Sequence, residues 1–436
     1  MEPIKVGLIG LGTVGAGLAE LFFHHGPRLD RRLGRPIRLT RIADLDTTTD
    51  RGVRIPEGVL TASAREVLAD PEIRILVELA GGLDEAKEFV LAAIDSGKQV
   101  VTANKALLAI HGAEIFARAE AAKIGIFFEG AVAGGIPLIR SFREGLAANR
   151  VKSICGILNG TSNYILSRMT YQNEPYAQAL AAAQAEGLAE ADPSLDVEGM
   201  DAAHKLAIMV SMAFGGRIEF GDLPVEGIDR VEDLDIAMAR EFGFVIKLLA
   251  LARRVGKRID ARVHPAMLPK SHVLAAVGGV FNAIHVTADP VGEVLFYGLG
   301  AGRRPTASAV AADVLEAARN IILGVGLRVP NLGEPGLTQH KLALGPDSSD
   351  QILARYYIRL NVLDQPGVLS KVSGVLADDE ISIQSVSQKG QGEASVPVVI
   401  ITHQTREDSI RRAMERLMAL EVLARRPVRY RIEDEV

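Results

Sequence analysis

The chain has 436 residues, 48% hydrophobic and 24% charged, a composition typical of a soluble globular protein with two or three domains. Its formal net charge of −5 gives no reason to expect nucleic acid or an anionic membrane as a partner. The single cysteine, Cys155, excludes intrachain disulfides and cysteine-rich metal sites, and we expect it to be buried. No apolar run reaches about 18 residues and glycines interrupt the N-terminal one, so we expect no transmembrane helix or signal peptide, and a cytoplasmic location.

The N-terminal part begins with a buried strand, IKVGLIG, followed by the turn GLGTVG and an apolar helix. In such a turn Gly10 allows the tight bend, Gly12 lets the backbone approach a pyrophosphate, and Gly15 lets the helix pack on the strand. The helix N-terminus then faces the phosphates. In this position between a strand and a helix, the motif predicts a dinucleotide site.

The second predicted strand, IRLTRIAD, ends at Asp44. An acid at this strand end typically binds the adenosine ribose hydroxyls and favours NAD. Arg41 and Arg51 are near enough in sequence to bind a 2′-phosphate, so NADP stays open. A turn formed with Asp46 is the alternative interpretation of Asp44. We interpret residues 24–35, which separate the glycines from this strand, as an insertion.

Later strands end in further candidate ligand contacts. IRILVELAGG leads into Ala80, and KQVVTANK leads into Thr102, Asn104 and Lys105, each before a helix. The carboxyl ends of parallel strands form the ligand crevice of a doubly wound sheet. A cation at a helix start is unfavourable for the helix dipole, which makes Lys105 a candidate functional residue. A fifth strand leads to Glu129, which together with loop carbonyls could hold a hard cation.

In the middle of the chain, the strand RVKSICGILNG leads to a polar turn at residues 159–163, whose N–H groups and hydroxyls suit a carboxylate. The alternative is a helix N-cap formed by Thr161 or Ser162. Further on, Gly298, Gly300 and Gly302 allow close backbone approach. Four histidines lack metal-ligand spacing, so we interpret them as structural or surface residues: His204, His264, His272 and His285.

The most informative stretch runs from Glu186 to Lys205, EGLAEADPSLDVEGMDAAHK, an acidic loop that continues into a helix. Asp201 and Lys205 lie at positions i and i+4 and therefore share a face of this helix. The helix is almost wholly apolar, so a lysine at its start keeps its charge through surrounding carboxylates. A solvated acidic loop with an ordinary helix salt bridge is the alternative. The stretch otherwise suits a small cationic or zwitterionic ligand that needs a proton donor.

These stretches resemble homoserine dehydrogenases. The resemblance covers essentially all of residues 1–330, and its motifs are GLGTVG, TANK, EGAVAGGIP, GILNGTSNYIL, EGLAEADPSLDVEGMDAAHKL and GLGAGRRPTASAVAADV. It implies NAD(P)-dependent oxidation of L-homoserine to L-aspartate 4-semialdehyde, physiologically the reduction, in threonine, methionine and isoleucine biosynthesis. The chain departs from the family pattern at the second strand, where Asp44-Leu45-Asp46 replaces a frequent arginine and weakens the case for NADP.

The resemblance also implies site residues. It makes Lys205 and Lys105 the catalytic lysines, with Lys205 as the proton donor, although the opposite division between the two stays open. The implied substrate-binding residues are Glu190, Asp196, Asp201, Gly160 and Thr161. The implied cofactor contacts are Gly10, Gly12, Thr13, Val14, Gly15, Asp44, Ala80, Thr102, Asn104, Lys105, Gly187 and Gly302. The implied sodium ligands are Glu129, Val132, Gly134 and Ile136, the last three through backbone carbonyls.

The C-terminal part follows a stretch rich in Pro, Gly and Ser and has the predicted order βαββαβ, which is ferredoxin-like. It resembles an ACT regulatory domain, with the turn DQPGVL at residues 364–369, and the implied effector is L-threonine. A plain dimerisation module is the alternative. The expected fold class is α/β, with a Rossmann-type domain (1–140), an α+β substrate-binding and dimerisation domain (141–330), a linker (331–350) and the ACT domain (351–436).

Three functions remain to be compared. The leading one is a monofunctional homoserine dehydrogenase that forms a homodimer or homotetramer. The second is an amino-acid-sensing protein that keeps the Rossmann and ACT domains without turnover, and the presence of both Lys105 and Lys205 argues against it. The third is another ACT-bearing dehydrogenase, such as one acting on prephenate, which would need histidine-centred chemistry that this sequence lacks.

Overall fold

The computed structural model describes residues 2–345, 352–389 and 395–434. The strands are β1 (Ile4–Ile9), β2 (Ile37–Ala43), β3 (Leu60–Thr61), β4 (Ile73–Glu78), β5 (Gln99–Thr102), β6 (Ile126–Phe127), β7 (Arg150–Ile157), β8 (Phe244–Val255), β9 (Arg258–Pro269), β10 (Phe281–Asp289), β11 (Gly292–Leu299), β12 (Leu353–Leu363), β13 (Ile383–Gln388), β14 (Ser395–Thr402), β15 (Thr405–Arg406) and β16 (Val428–Ile432). The helices are α1 (Thr13–Leu33), α2 (Ala64–Ala69), α3 (Asp84–Asp95), α4 (Lys105–Ala122), α5 (Leu138–Arg140), α6 (Gly160–Gln172), α7 (Tyr176–Ala185), α8 (Ser194–Val197), α9 (Met200–Phe214), α10 (Asp233–Glu241), α11 (Arg303–Ile322), α12 (Val368–Asp378) and α13 (Glu407–Met418).

The chain forms two compact units. The first contains residues 1–152, 201–223 and 281–342, and the second contains residues 153–200, 224–280 and 343–436. No helix among the described residues is both long enough and apolar enough to span a membrane. Residues 346–350 of the predicted linker, and residues 351, 390–394 and 435–436 of the predicted ACT domain, lie outside the described residues.

A six-stranded parallel sheet with the order β3-β2-β1-β4-β5-β6 forms the centre of the first unit. The strands are short apolar runs that are buried on both faces, as expected for a sheet covered by helices on both sides. The strand order reverses between β1 and β4, and in such sheets the ligand crevice lies beyond the carboxyl ends at this point. The predicted Rossmann-type fold is confirmed.

Helix α1 continues through residues 24–33. Most of the predicted insertion at residues 24–35 is therefore an extension of this helix. Pro27 lies inside the helix, where proline normally costs about 3 kcal/mol. The helix is capped at its far end: the N–H of Gly34 donates to the carbonyl of Asp30, and the Asp30 carboxylate accepts from the N–H of Ile37 and from Arg38.

Helix α11, distant in sequence, completes the core of this unit by packing against α1. Gly17 is required at the crossing, because a Cβ there would lie 2.8 Å from the carbonyl oxygen of Arg303. Val310 and Val314 of α11 join the same buried cluster as Leu18 of α1. The sheet and the glycine turn are thus supported by a helix that begins only at Arg303.

The second unit contains a long antiparallel hairpin, β8–β9, and the predicted βαββαβ domain formed by β12, α12, β13, β14, α13 and β16. The ferredoxin-like order is confirmed. Strand β16 pairs with β12 inside this domain and also pairs in parallel with β9, through Arg431 with Ala266 and Ile432 with Met267. One continuous sheet therefore links the C-terminal domain to the middle of the chain.

A buried ionic cluster strengthens this link. The Asp235 carboxylate on α10 accepts hydrogen bonds from Arg359 (Nε, 2.8 Å) and from the hydroxyl of Tyr357 (2.7 Å) on β12. It also accepts one from the hydroxyl of Tyr430 on β16, at 3.3 Å. All four side chains are buried, and burial raises the pKa of both tyrosines, so each stays a hydrogen-bond donor. The cluster fixes α10 against the C-terminal domain.

Candidate active site

The glycine turn after β1 has the geometry that the sequence predicts. Gly10 has φ = +97°, and a Cβ there would lie 2.4 Å from the backbone of Leu79. A Cβ on Gly15 would lie 2.1 Å from the carbonyl oxygen of Gly10, so both positions require glycine. Gly12, by contrast, has open space around it, and α1 begins directly afterwards at Thr13 and Val14 without a side-chain cap. The turn therefore offers unblocked helix N–H groups beside an open backbone surface.

Asp44 lies at the end of β2 and contacts this turn directly. Its carboxylate accepts a hydrogen bond from the N–H of Leu11 (2.5 Å) and one from the N–H of Asp46 (2.9 Å). The alternative of a turn with Asp46 is thus realised together with the contact to the glycine turn. Arg51 pairs with Asp46 at 3.0 Å, so its guanidinium already has an acidic partner.

Glu78, at the end of β4, organises the neighbouring loops, and sequence reasoning did not identify it. One carboxylate oxygen accepts from the N–H of Ala80 (3.0 Å), and the other accepts from the hydroxyl of Thr102 (2.6 Å). Thr102 in turn accepts from the N–H of Asn104, whose side chain caps α4 through the N–H of Leu107. Burial raises the pKa of Glu78. An acid that ends an otherwise apolar strand was the available signal.

Asp201 bridges the two candidate catalytic lysines. Its Oδ2 lies 2.6 Å from Nζ of Lys205, and its Oδ1 lies 3.1 Å from Nζ of Lys105. The side chains of Lys205 and Asp201 are 8% and 11% exposed, while that of Lys105 is 40% exposed. The predicted Asp201–Lys205 pair is therefore present in a buried position, and Lys105, at the start of α4, joins it. The first unit thus contains a carboxylate that orients two ammonium groups.

His204, next to Lys205, has a structural role. Its ring stacks on Phe220 with a centroid distance of 4.7 Å, and burial lowers the pKa of the imidazole. No group of three metal-ligating His, Cys, Asp or Glu side chains occurs in the described part of the chain.

In the second unit, the acidic loop is fastened to the first turn of α6. Asn159 caps this helix by accepting from the N–H of Ser162 (2.7 Å), so the expectation that Thr161 or Ser162 forms the cap was wrong. Asn159 also donates to the Asp196 carboxylate (2.6 Å), and the Thr161 hydroxyl donates to the carbonyl of Leu188 (2.9 Å). The hydroxyls that the sequence suggested for a carboxylate ligand therefore hold the loop instead.

Glu190 and Gly187 lie in the same loop and are both exposed. No hydrogen bond or ion pair of the Glu190 carboxylate is found with other residues of the described ranges. Gly187 has φ = +70° with open space around it. The carboxylate of Glu190 is therefore accessible on this loop, and the Asp196 carboxylate is held by Asn159.

The loop after β6 was the expected cation site. Both carboxylate oxygens of Glu129 accept main-chain N–H groups at the start of α5, from Ile139 (2.8 Å) and Arg140 (2.9 Å). The N–H of Glu129 donates to Asp313, whose pKa rises to about 7, mainly through burial. The Glu129 carboxylate thus anchors the start of α5, and it keeps further acceptor sites, because a carboxylate can accept about four hydrogen bonds.

The last glycine-rich stretch packs against its own chain. A Cβ on Gly300 would lie 2.0 Å from the Asn282 side chain, and one on Gly298 would lie 3.1 Å from Ile136. The close approach predicted at these two positions is therefore to protein. Gly302 has φ = +122° and directly precedes α11.

Three family models match the chain. The descriptions are "Homoserine dehydrogenase, NAD binding domain" for residues 10–129, "Homoserine dehydrogenase" for residues 137–315 and "ACT domain" for residues 356–422. The homoserine dehydrogenase of Neisseria gonorrhoeae is 45% identical over 436 residues, which cover 100% of this chain and 99% of that protein. The chain belongs to the homoserine dehydrogenase family.

Solved structures of homoserine dehydrogenases also match the chain. The crystal structure of a homoserine dehydrogenase from Thiobacillus denitrificans is 43% identical, with a TM-score of 0.92, and the match covers 100% of this chain and 99% of that one. A hyperthermophilic archaeal homoserine dehydrogenase in complex with NADPH is 28% identical, with a TM-score of 0.63, over 75% of this chain and 100% of that chain.

Membership of this family gives the activity of the chain. The chain is an NAD(P)-dependent oxidoreductase of this family, which interconverts L-homoserine and the corresponding aldehyde, and it carries an ACT domain, which suggests regulation. The sensing protein without turnover and the prephenate enzyme are not favoured. The family function, the fold class and the ACT domain inferred from sequence are confirmed.

Proposed function

We propose that Lys205 is the proton donor for aldehyde reduction and that Lys105 assists it close to the cofactor. A bound NAD(P) cofactor would supply the hydride that reduces the aldehyde carbon. Lys205 donates a proton from its ammonium to the resulting alkoxide, becomes neutral, and is reprotonated from solvent. The observation that carries this proposal is the Asp201 carboxylate, whose two oxygens contact both ammonium groups and hold them close together.

The substrate is a zwitterion, and the second unit offers complementary groups for it. We propose that Glu190 and Asp196 bind its ammonium group, since Glu190 is exposed and Asp196 is held by Asn159. We propose that its carboxylate binds at the first turn of α6, at Gly160 and Thr161, where helix N–H groups favour an anion. We also propose Asp201 as a substrate-site residue, because it orients the two lysines that it contacts.

Initial rates test this activity and the regulation together. We expect turnover of L-homoserine with NAD and slower turnover with NADP, and lower rates when millimolar L-threonine is added. The ACT domain supports this effector, because such domains bind small molecules. A variant without the ACT domain would not be a suitable control, because its loss would remove β16 from the sheet that also contains β9. An unchanged rate across a threonine titration would remove threonine as the effector while leaving the activity itself intact.

We propose NAD as the preferred cofactor, with Asp44 binding the adenosine ribose. Asp44 already contacts the glycine turn, and Arg51 is paired with Asp46, which leaves it less able to attract a 2′-phosphate. The remaining proposed contacts are Gly10, Gly12, Thr13, Val14, Gly15, Ala80, Thr102, Asn104, Lys105, Gly187 and Gly302.

Asp44→Ala should lower the ratio of kcat/KM for NAD to kcat/KM for NADP by about 10-fold or more, because it removes a ribose acceptor and a charge that repels phosphate. Asp50→Ala is the matched control, since Asp50 is an exposed acid that only closes a local turn through the N–H of Gly52. An unchanged cofactor ratio in Asp44→Ala would contradict the proposed role.

We propose that a monovalent cation binds the loop after β6, with Glu129 and the backbone carbonyls of Val132, Gly134 and Ile136 as its ligands. The oxygen-rich character of this loop supports a hard ion. Its proposed effect is structural, and comparing melting temperatures in sodium and in a bulky organic cation would reveal it.

We propose that the protein forms at least a homodimer in the cytoplasm. Strand β11 pairs with β10 and exposes Leu295, Tyr297 and Leu299 on alternate positions, which form an apolar stripe suited to a second copy. Sedimentation velocity would measure the mass of the assembly.

We also propose the domain boundaries given above, in which residues 1–140 bind the cofactor and residues 141–330 bind the substrate.

A further inference from the structure

Lys247 on β8 is a buried cation with neutral partners. The residue is only 1% exposed. Its Nζ donates to the Asn163 side chain (3.0 Å) and to the carbonyl of Val277 (2.5 Å). No carboxylate of the described residues forms an ion pair with it, and burial alone lowers its pKa to about 8. A buried charge without a counterion costs stability, so packing alone does not explain a lysine at this position.

The partners of Lys247 belong to one network that joins α6 to the segment of residues 277–280. Asn163 donates from its side chain to the carbonyl of Gly279 (2.9 Å), and the N–H of Gly279 donates to the Ser167 hydroxyl (3.1 Å). Ser167 donates to the carbonyl of Asn163 (2.6 Å). The segment is neither helix nor strand, so these side chains supply hydrogen-bond partners that its backbone lacks within a regular element.

This segment lies directly against the first turn of α6. A Cβ on Gly160 would lie 2.8 Å from the carbonyl oxygen of Val280, so the two backbones are in contact there. The same turn carries Asn159 and Thr161, which fasten the acidic loop. The position of this turn is thus fixed on one side by the acidic loop and on the other by the segment that Lys247 holds.

We infer that Lys247 is a positioning residue for the substrate carboxylate: it holds residues 277–280 against the first turn of α6 and places a buried positive charge beside that helix N-terminus. A positive charge there adds to the potential of the helix end and favours an anion. Lys247 acts through the turn and does not touch the substrate. This inference rests on the proposed placement of the carboxylate at Gly160 and Thr161.

Lys247→Met is the direct test, because it keeps the side-chain volume and removes the charge and both hydrogen bonds. We expect the KM for L-homoserine to rise by about 10-fold or more, while kcat and the Kd for NAD stay near their wild-type values. Lys98→Met is the matched control. Lys98 is also buried and donates to two backbone carbonyls, of Asp70 and Ile73, but it lies in the first unit. Its loss should leave the homoserine KM unchanged.

Three further variants distinguish the possible outcomes. Asn163→Ala should also raise the homoserine KM, and combining it with Lys247→Met should add little, since both act through one network. If Lys247→Met fails to fold, Asn163→Ala carries the test. A raised KM in Thr161→Val with a normal KM in Lys247→Met and Asn163→Ala would overturn the role of Lys247. A normal KM in all of them would instead overturn the placement of the carboxylate at α6.

Discussion

Lys205→Met is expected to lower kcat for homoserine oxidation and for aldehyde reduction by about 100-fold or more, the usual contribution of a positioned proton donor. The Kd for NAD should stay close to the wild-type value, because Lys205 lies on α9 and not in the glycine turn. Steady-state rates in both directions and a fluorescence titration with NADH measure these quantities. Lys98→Met again controls for the loss of a buried lysine.

Lys105→Met identifies which lysine donates. If Lys105 assists near the cofactor, its loss should affect kcat less than the loss of Lys205, because Lys205 is the more buried partner of Asp201. A larger loss of kcat in Lys105→Met would reverse the assignment. Wild-type kcat in Lys205→Met would exclude Lys205 as the proton donor.

Asp235→Ala is expected to lower the free energy of unfolding by about 3–5 kcal/mol. The carboxylate is fully buried, and its removal leaves Arg359 and the hydroxyls of Tyr357 and Tyr430 inside the protein without this partner. Urea denaturation followed by circular dichroism measures the change. Asp233→Ala is the matched control, since Asp233 lies at the exposed start of the same helix.

A double variant distinguishes a lost ion pair from lost packing. Asp235→Leu combined with Arg359→Met removes both charges together, so it should recover much of the stability that Asp235→Ala loses. If the double variant is as unstable as the single one, the cost lies in shape and tyrosine hydrogen bonds. Because the cluster joins α10 to the ACT domain, a weaker response to the effector is expected in any folded variant of Asp235.

Local patterns determined much of this protein. Mostly apolar runs of strand length specified the parallel strands, since a strand buried on both faces needs a nearly continuous apolar sequence. GLGTVG specified its own turn, because Gly10 and Gly15 lie where any Cβ would collide with backbone. The spacing of Asp201 and Lys205 specified their ion pair, because helical geometry brings residues i and i+4 together. The order βαββαβ followed from periodicity in the same way.

Only the tertiary structure decided which distant elements meet. In the folded chain, Lys105 contacts Asp201, and Glu78 accepts hydrogen bonds from Ala80 and Thr102. Helix α11 packs on α1, and strand β16 pairs with β9. The tertiary structure also kept residues 24–33 helical through Pro27. The reason is physical: a turn or a helical pair is encoded within a few residues by sterics and period, whereas the partner of an apolar face depends on the free energy of the whole packed arrangement, to which every buried face contributes.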